Sequence, residues 1–232
     1  MYTRTILCLA NSKKIGGTCV AGKKLAGKEI GAWIRPVSER ATHEISELDR
    51  RYQDGTTADV FDVVEIVFRR RTGTRHQSEN HLIDAEKFWR KKGTATWKQI
   101  QNSLDNVSGP LWLNGYSTRR GIDDKVPESR LDEIPDSLRL VKVSDLSLKV
   151  AYEPGWQGKP GTRKVRGSFT LNHQQYRLAV TDPPVESEYL AGPDGDFTIG
   201  AAILCLSLSE PIHGYAYKLI ATVITKERFG AN

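Results

Sequence analysis

Short runs of β-branched and aromatic residues, separated by turn-forming clusters, recur along almost the whole chain and leave little room for helix. Ile6–Ala10, Thr18–Ala21, Ala32–Val37 and Val60–Phe68 read as strands in the first half. Leu138–Val143, Leu146–Val150, Thr198–Leu208 and Tyr215–Ile224 do so in the second. Helical spacing occurs in one passage. From Glu79 the apolar residues fall at Leu82, Ala85 and Trp89, flanked by Ile83 and Phe88, until Lys91-Lys92-Gly93 stops the pattern. Thr96-Trp97-Lys98-Gln99 then resembles a capping box, starting a second short helix through Ile100 and Leu104. A parallel sheet would need helices between its strands. With helix confined to the middle, two small barrels fit better.

The clearest hairpin is Lys164–Asp182. Val165, Gly167, Phe169 and Leu171 alternate with Lys164, Arg166, Ser168 and Thr170. A four-residue loop, Asn172–Gln175, pairs Leu171 with Tyr176, Phe169 with Leu178 and Gly167 with Val180, so one face is apolar throughout. Arg166 and Arg177 then project from the opposite, outer face. Gly167 inside a strand suits a bend at a barrel corner. Asp182-Pro183-Pro184 closes the hairpin, and an acidic loop follows to Asp196. The irregular, proline-containing stretch Thr118–Asp136 is the expected domain boundary, giving domains 1–136, with the helical insert at about 79–105, and 137–232.

Of 232 residues, 38% are hydrophobic and 27% charged, as in ordinary folded proteins, and the net charge is +6. That excess permits a polyanionic partner without requiring one. Its distribution is more informative. The Thr18–Ser38 segment and its approach carry Lys13, Lys14, Lys23, Lys24, Lys28 and Arg35, with Trp33 two residues from Arg35 and thus on the same strand face. An aromatic beside an arginine suits base stacking and phosphate contact; Trp33 as a core residue is the competing reading. Further basic positions are Arg69, Arg70, Arg71 and Arg75, residues 90–92, and the loop and strand carrying Trp156, Lys164, Arg166 and, across the hairpin, Arg177. A charge run is also what a merely solvated face looks like. Coincidence with strand ends, loops and tryptophans singles these out.

No catalytic set assembles. There is no Walker-type loop around Gly22-Lys23-Lys24, and no nucleophile elbow. His76, Glu79 and His81 resemble metal ligands, but a capping or polar-contact role fits better; Asp62, Glu65 and Glu79 read as solvated acids. Three cysteines, Cys8, Cys19 and Cys205, sit far apart in apolar runs, without zinc or disulfide spacing. Neither a signal peptide nor a membrane-length apolar stretch is present, so a reducing cytoplasm, no membrane and no cofactor are expected.

ILCLANSKK, CVAGK followed by WIRPVS, HQSENHLI, RLAVTDP and YKLIATVI together resemble the prokaryotic dual OB-containing domain family. The resemblance implies a mainly β chain of two tandem OB-like small β-barrels with a short helical insert. It also implies nucleic-acid or nucleotide-type recognition, and a place in anti-phage or other conflict systems. The expected function is a non-enzymatic module for single-stranded DNA or RNA. The alternative is a subunit that docks a partner protein encoded nearby, or senses a small nucleotide ligand.

Overall fold

A computed structural model describes residues 1–27, 29–155 and 160–230, so Lys28 and Trp156 lie outside the described residues. The chain divides into two compact units, Met1–Leu104 with Asp132–Leu138, and Asp105–Leu131 with Arg139 onward.

In the first unit, β1 (Tyr2–Lys14), β2 (Gly17–Ala26), β3 (Glu29–Val37), β4 (Asp62–Arg71) and β5 (Asn80–Ile83) pair in the order β1-β2-β3-β5-β4. β1 also pairs with β4, from Tyr2↔Phe68 to Leu7↔Val63, which closes the ring. β3 and β5 run parallel and every other pair is antiparallel. This is the five-stranded order of an OB barrel. Strict alternation in β4 explains its face: Val64, Ile66 and Phe68 turn into a core shared with Ile6, Cys8, Val20 and Ile34, while Val63, Glu65 and Val67 are partly exposed. A further strand, β6 (Arg90–Thr94), lies along β4.

The helix expected from Glu79 is absent. Asn80–Ile83 is buried on all four residues and pairs between β3 and β4, as ring closure requires. A short apolar run cannot by itself distinguish buried strand from helix, and tertiary pairing decided it. The Lys91-Lys92-Gly93 stop signal falls inside β6. The α-helix described in this unit is α1 (Trp97–Asn102), where Thr96 and Gln99 form the capping box, Gln99 N to Thr96 Oγ1 at 3.2 Å and Thr96 N to Gln99 Oε1 at 2.8 Å.

In the second unit, β7 (Lys125–Pro127) precedes β8 (Leu138–Glu153), β9 (Thr162–Leu171), β10 (Gln174–Val180), β11 (Gly195–Leu208) and β12 (Tyr215–Ile224). The last five repeat the order of the first unit, β8-β9-β10-β12-β11 with β11 beside β8, and β10 pairs with β12 in parallel at Ala179↔Leu219 and Val180↔Ile220. The protein is therefore mainly β, with two OB-type barrels in tandem. Leu138–Val143 and Leu146–Val150, expected as two strands, form one long β8. The acidic stretch after Asp182 is no loop but begins with α2 (Pro183–Ala191), with Asp182 at its N-cap and prolines in its first turn.

The β9–β10 hairpin turns on two residues, Asn172 and His173, both with positive φ (49° and 62°), as a tight turn matched to strand twist requires. Tyr176 therefore pairs with Phe169 and Leu178 with Gly167, two residues from the expected register. A shift of two preserves the faces: Val165, Phe169, Tyr176, Leu178 and Val180 are core. At Gly167 a Cβ would lie 2.4 Å from Ile220 Cδ1, so glycine makes room for the barrel core.

Candidate functional site

With the apolar side chains of β8, β9 and β10 turned inward, the alternate residues form the outer face of the second barrel. Lys149, Arg166 and Ala179 lie in one row across the three strands, because Lys149 pairs with Arg166 and Arg166 with Ala179. Lys164 pairs with Ala151 on one side of that row. On the other, Arg177 pairs with Ser168 and donates from Nε to its Oγ at 3.1 Å.

A strap from residues 115–127 crosses beside this face. Ile122 exchanges two backbone hydrogen bonds with Arg177, at 3.2 and 3.0 Å, and β7 then pairs with the start of β12. The strap thus fills the gap where β10 and β12 diverge. Its turn is tied by Asp124, whose carboxylate accepts from Thr118 N and Thr118 Oγ1, both at 2.6 Å. Gly121 is required at this turn, since a Cβ would sit 1.8 Å from Asp124 Oδ2. Arg119 and Arg120 occupy the tip.

Strap and sheet enclose a cleft of about 730 Å³ lined by Arg119, Arg120, Lys164, Arg166 and Tyr217, and closed by residues of the β8–β9 and β11–β12 loops, Pro154, Gly155, Ser209 and Ile212. A smaller adjoining cavity of about 260 Å³ extends it to Lys149 and Arg177. Strands two and three of an OB barrel and its 1–2 and 4–5 loops form the surface that takes oligonucleotides and oligosaccharides. The cleft occupies that surface.

Its cations are not equivalent. Arg166, expected to project into solvent, is 13% exposed at the side chain and held by two carboxylates. Glu153 receives Nε at 2.5 Å and Nη2 at 3.1 Å, and Asp124 receives Nη1 at 3.3 Å. Burial opposes the charge, but Glu153 and Asp124 outweigh it and raise the Arg166 pKa. Burial likewise opposes ionised Glu153, and the Arg166 hydrogen bonds overcome it to hold that carboxyl below its usual range. Arg166 therefore buckles the strap to the end of β8. Lys149 is paired with Asp196 at 2.9 Å. Among the described residues, no carboxylate lies within ion-pair distance of Arg119, Arg120, Lys164 or Arg177.

In the first barrel, the residues expected to bind are mostly engaged. Arg35 is 4% exposed, contrary to the phosphate-contact expectation. It pairs with Glu79 at 3.2 Å and donates to Asn80 Oδ1 at 3.2 Å and Ser137 Oγ at 2.9 Å. The parallel register sets this, Arg35 lying opposite Asn80. Lys23 is buried with its ammonium 5.3 Å from the Trp33 ring centroid, its register partner on β3. Arg69 reaches Asp84 and Glu39, Arg71 donates to Ser78 O, and Arg75 pairs with Asp132. The 90–92 cations meet Glu65 and Asp62. Lys13 and Lys14 flank the β1–β2 turn; Lys24 and Arg70 make no ion pair among the described residues. Glu79 and Asp62 are buried, not solvated, each neutralised by its cation. His81 sits against Phe68 and Tyr2, accepting or donating at Nδ1 with the Tyr2 hydroxyl at 2.6 Å, and burial lowers its pKa to about 4. No three His, Cys, Asp or Glu side chains cluster among the described residues.

Sequence reasoning thus located Lys164, Arg166 and Arg177 on one face but missed Arg119, Arg120 and Lys149. The first two fell in what reads as an irregular connector. The signal available was Arg119-Arg120-Gly121 followed by Asp123-Asp124, a glycine turn between opposite charges. Two barrels in OB order, one carrying a basic cleft on its ligand face, define a tandem OB-fold binding protein. The chain belongs to the family described as dual OB-containing domain, which matches residues 4–223. No curated protein and no solved structure matches it. Among the described residues no helix is long and apolar enough to cross a membrane.

Proposed function

We propose that the protein is a non-enzymatic module that binds single-stranded nucleic acid on the outer face of its second barrel. Arg119, Arg120, Lys164 and Arg177 contact phosphates, and Arg166 holds the strap that carries the first two. The observation that carries this reading is the convergence of four cations, none ion-paired to a described carboxylate, around one cleft on the ligand surface of an OB barrel. A strand of single-stranded nucleic acid needs a positive groove to track its backbone. In the first barrel Arg35, Arg69 and Arg75 already meet carboxylates.

Fluorescence anisotropy with labelled single-stranded DNA and RNA, at several salt concentrations, tests this. Binding should weaken as salt rises, with a log–log slope of about 0.7 per phosphate contact. Arg119→Ala/Arg120→Ala/Lys164→Ala together should flatten that slope by about two units while leaving thermal stability nearly unchanged, since all three are exposed. Absence of binding at low salt to every strand type overturns the proposal.

A further inference from the structure

Most cations of the cleft, Arg119, Arg120, Lys164 and Arg166, stand on the strap tip and β9. Its opposite wall is β12 and the loop before it, which present Tyr217, Leu219 and Ile212, with Lys125 of β7 paired to Tyr217 and its ammonium 3.9 Å from the Tyr215 ring centroid. Tyr217 and Leu219 lie two apart on the outer face of β12, both partly exposed, and Leu219 pairs with Ala179 of β10. The β11–β12 loop is fixed above them: Ile212 and Tyr215 exchange backbone hydrogen bonds at 2.8 and 3.2 Å, and Tyr217 N donates to Ser209 Oγ at 2.9 Å. This holds Ile212, 51% exposed, at the mouth of the cleft. Apolar side chains left exposed inside a concavity, facing a row of cations, are complementary to a ligand with a flat apolar body and an anionic end. A sheet of phosphates alone would gain nothing from this wall. The space, about 730 Å³, is in the range that holds a ligand of nucleotide size.

Resting on the nucleic-acid reading above, we infer that the β12 wall is a nucleobase subsite, in which Tyr217 stacks a base whose phosphate is held by Arg119, Arg120 and Lys164. The site then recognises a base joined to a phosphate, and discriminates against polyanions that carry no bases. Tyr217 supplies the ring face, Leu219 and Ala179 the apolar floor, and Ile212 covers the outer edge.

The test compares a labelled oligo-dT strand with an abasic strand of the same length and charge, at fixed salt, on the intact chain. The parent protein should bind oligo-dT about tenfold or more tightly than the abasic strand, as a lost stacking contact implies. Tyr217→Ala should remove that preference while leaving abasic affinity and the salt slope unchanged, and Tyr217→Trp should retain it. Ile212→Ser, on an exposed loop position, should reduce the preference in the same direction. Equal binding of the two strands by the parent overturns the subsite while the nucleic-acid reading stands. A preference that survives Tyr217→Ala overturns it as well. Failure of the parent to bind either strand at low salt overturns both.

Discussion

Lys218 places a full charge where an aliphatic residue would be expected, on the inner face of β12 between Ala216 and Ile220. It is 1% exposed, donates to Asn114 Oδ1 at 3.0 Å, and lies 5.4 Å from the Tyr176 ring centroid. Burial lowers its pKa to about 8, against the opposing pull of Asp123 and Asp124. Because the folded value lies below the ordinary one, folding disfavours the charged form, and the penalty is fully present below pH 8. It is recovered as pH rises from about 8 towards the unfolded pKa near 10.5. The linkage is worth on the order of 3 kcal/mol at neutral pH, less whatever the Asn114 contact returns. Lys218→Met should therefore stabilise the protein by roughly 1–2 kcal/mol at pH 7. The gain should disappear near pH 10, as urea unfolding at the two pH values would register. A gain that is equal at both values would mean that buried charge is not its source.

At the scale of the element, the approach of β2 to β1 is a tight constraint. Gly22 pairs with Cys8 where the β1 register shifts, and a Cβ at Gly22 would lie 2.2 Å from Leu7 O, a backbone atom. At Gly167 the obstruction is Ile220 Cδ1, the far end of a side chain that has other rotamers. Gly22→Ala should cost about 3 kcal/mol or more and Gly167→Ala nearer 1 kcal/mol, because only the second site can relax. Thermal unfolding of the two variants decides it: a Gly167→Ala protein as unstable as Gly22→Ala would contradict the argument. The same elements mark how far the sequence was legible. Alternation located β9 and β10 and assigned their inward faces, since burial enforces period two over a whole strand. Turn length is set by the backbone of Asn172 and His173, whose positive φ values residue type only hints at, so the register came out two residues away. Asn80–Ile83 is too short for its period to be read, and only pairing between β3 and β4 makes it a strand. Half the cleft was equally hidden. Arg119 and Arg120 reach the face through Ile122 pairing with Arg177, a contact across 55 residues of sequence that no local pattern encodes.

Across the whole molecule, one strand order is used twice with different results for charge. Between its third and fourth strands the first barrel has a long irregular segment, in which Arg40 meets Asp49 and Arg50 donates to Ala58 O. The second has α2 there instead, while its strap delivers cations outward. Basic residues are thus spread along the sequence, yet those without a described carboxylate partner converge on a cleft only in the second unit. That distribution separates a specific face from a general attraction of a +6 protein for polyanions. Two charge-reversal pairs remove the same total charge: Lys24→Glu/Arg70→Glu in the first barrel and Arg119→Glu/Lys164→Glu in the second. None of the four residues makes an ion pair among the described residues, so neither pair breaks an internal contact of that kind. If net charge governed binding, both variants would lose affinity for single-stranded DNA alike. The cleft requires instead that the second pair abolish measurable binding at 0.1 M salt, and that the first lower it only by the screened long-range field, a few-fold at most. Anisotropy titrations of the two variants against the same strand separate these outcomes, and equal losses would assign the binding to overall charge and not to this face.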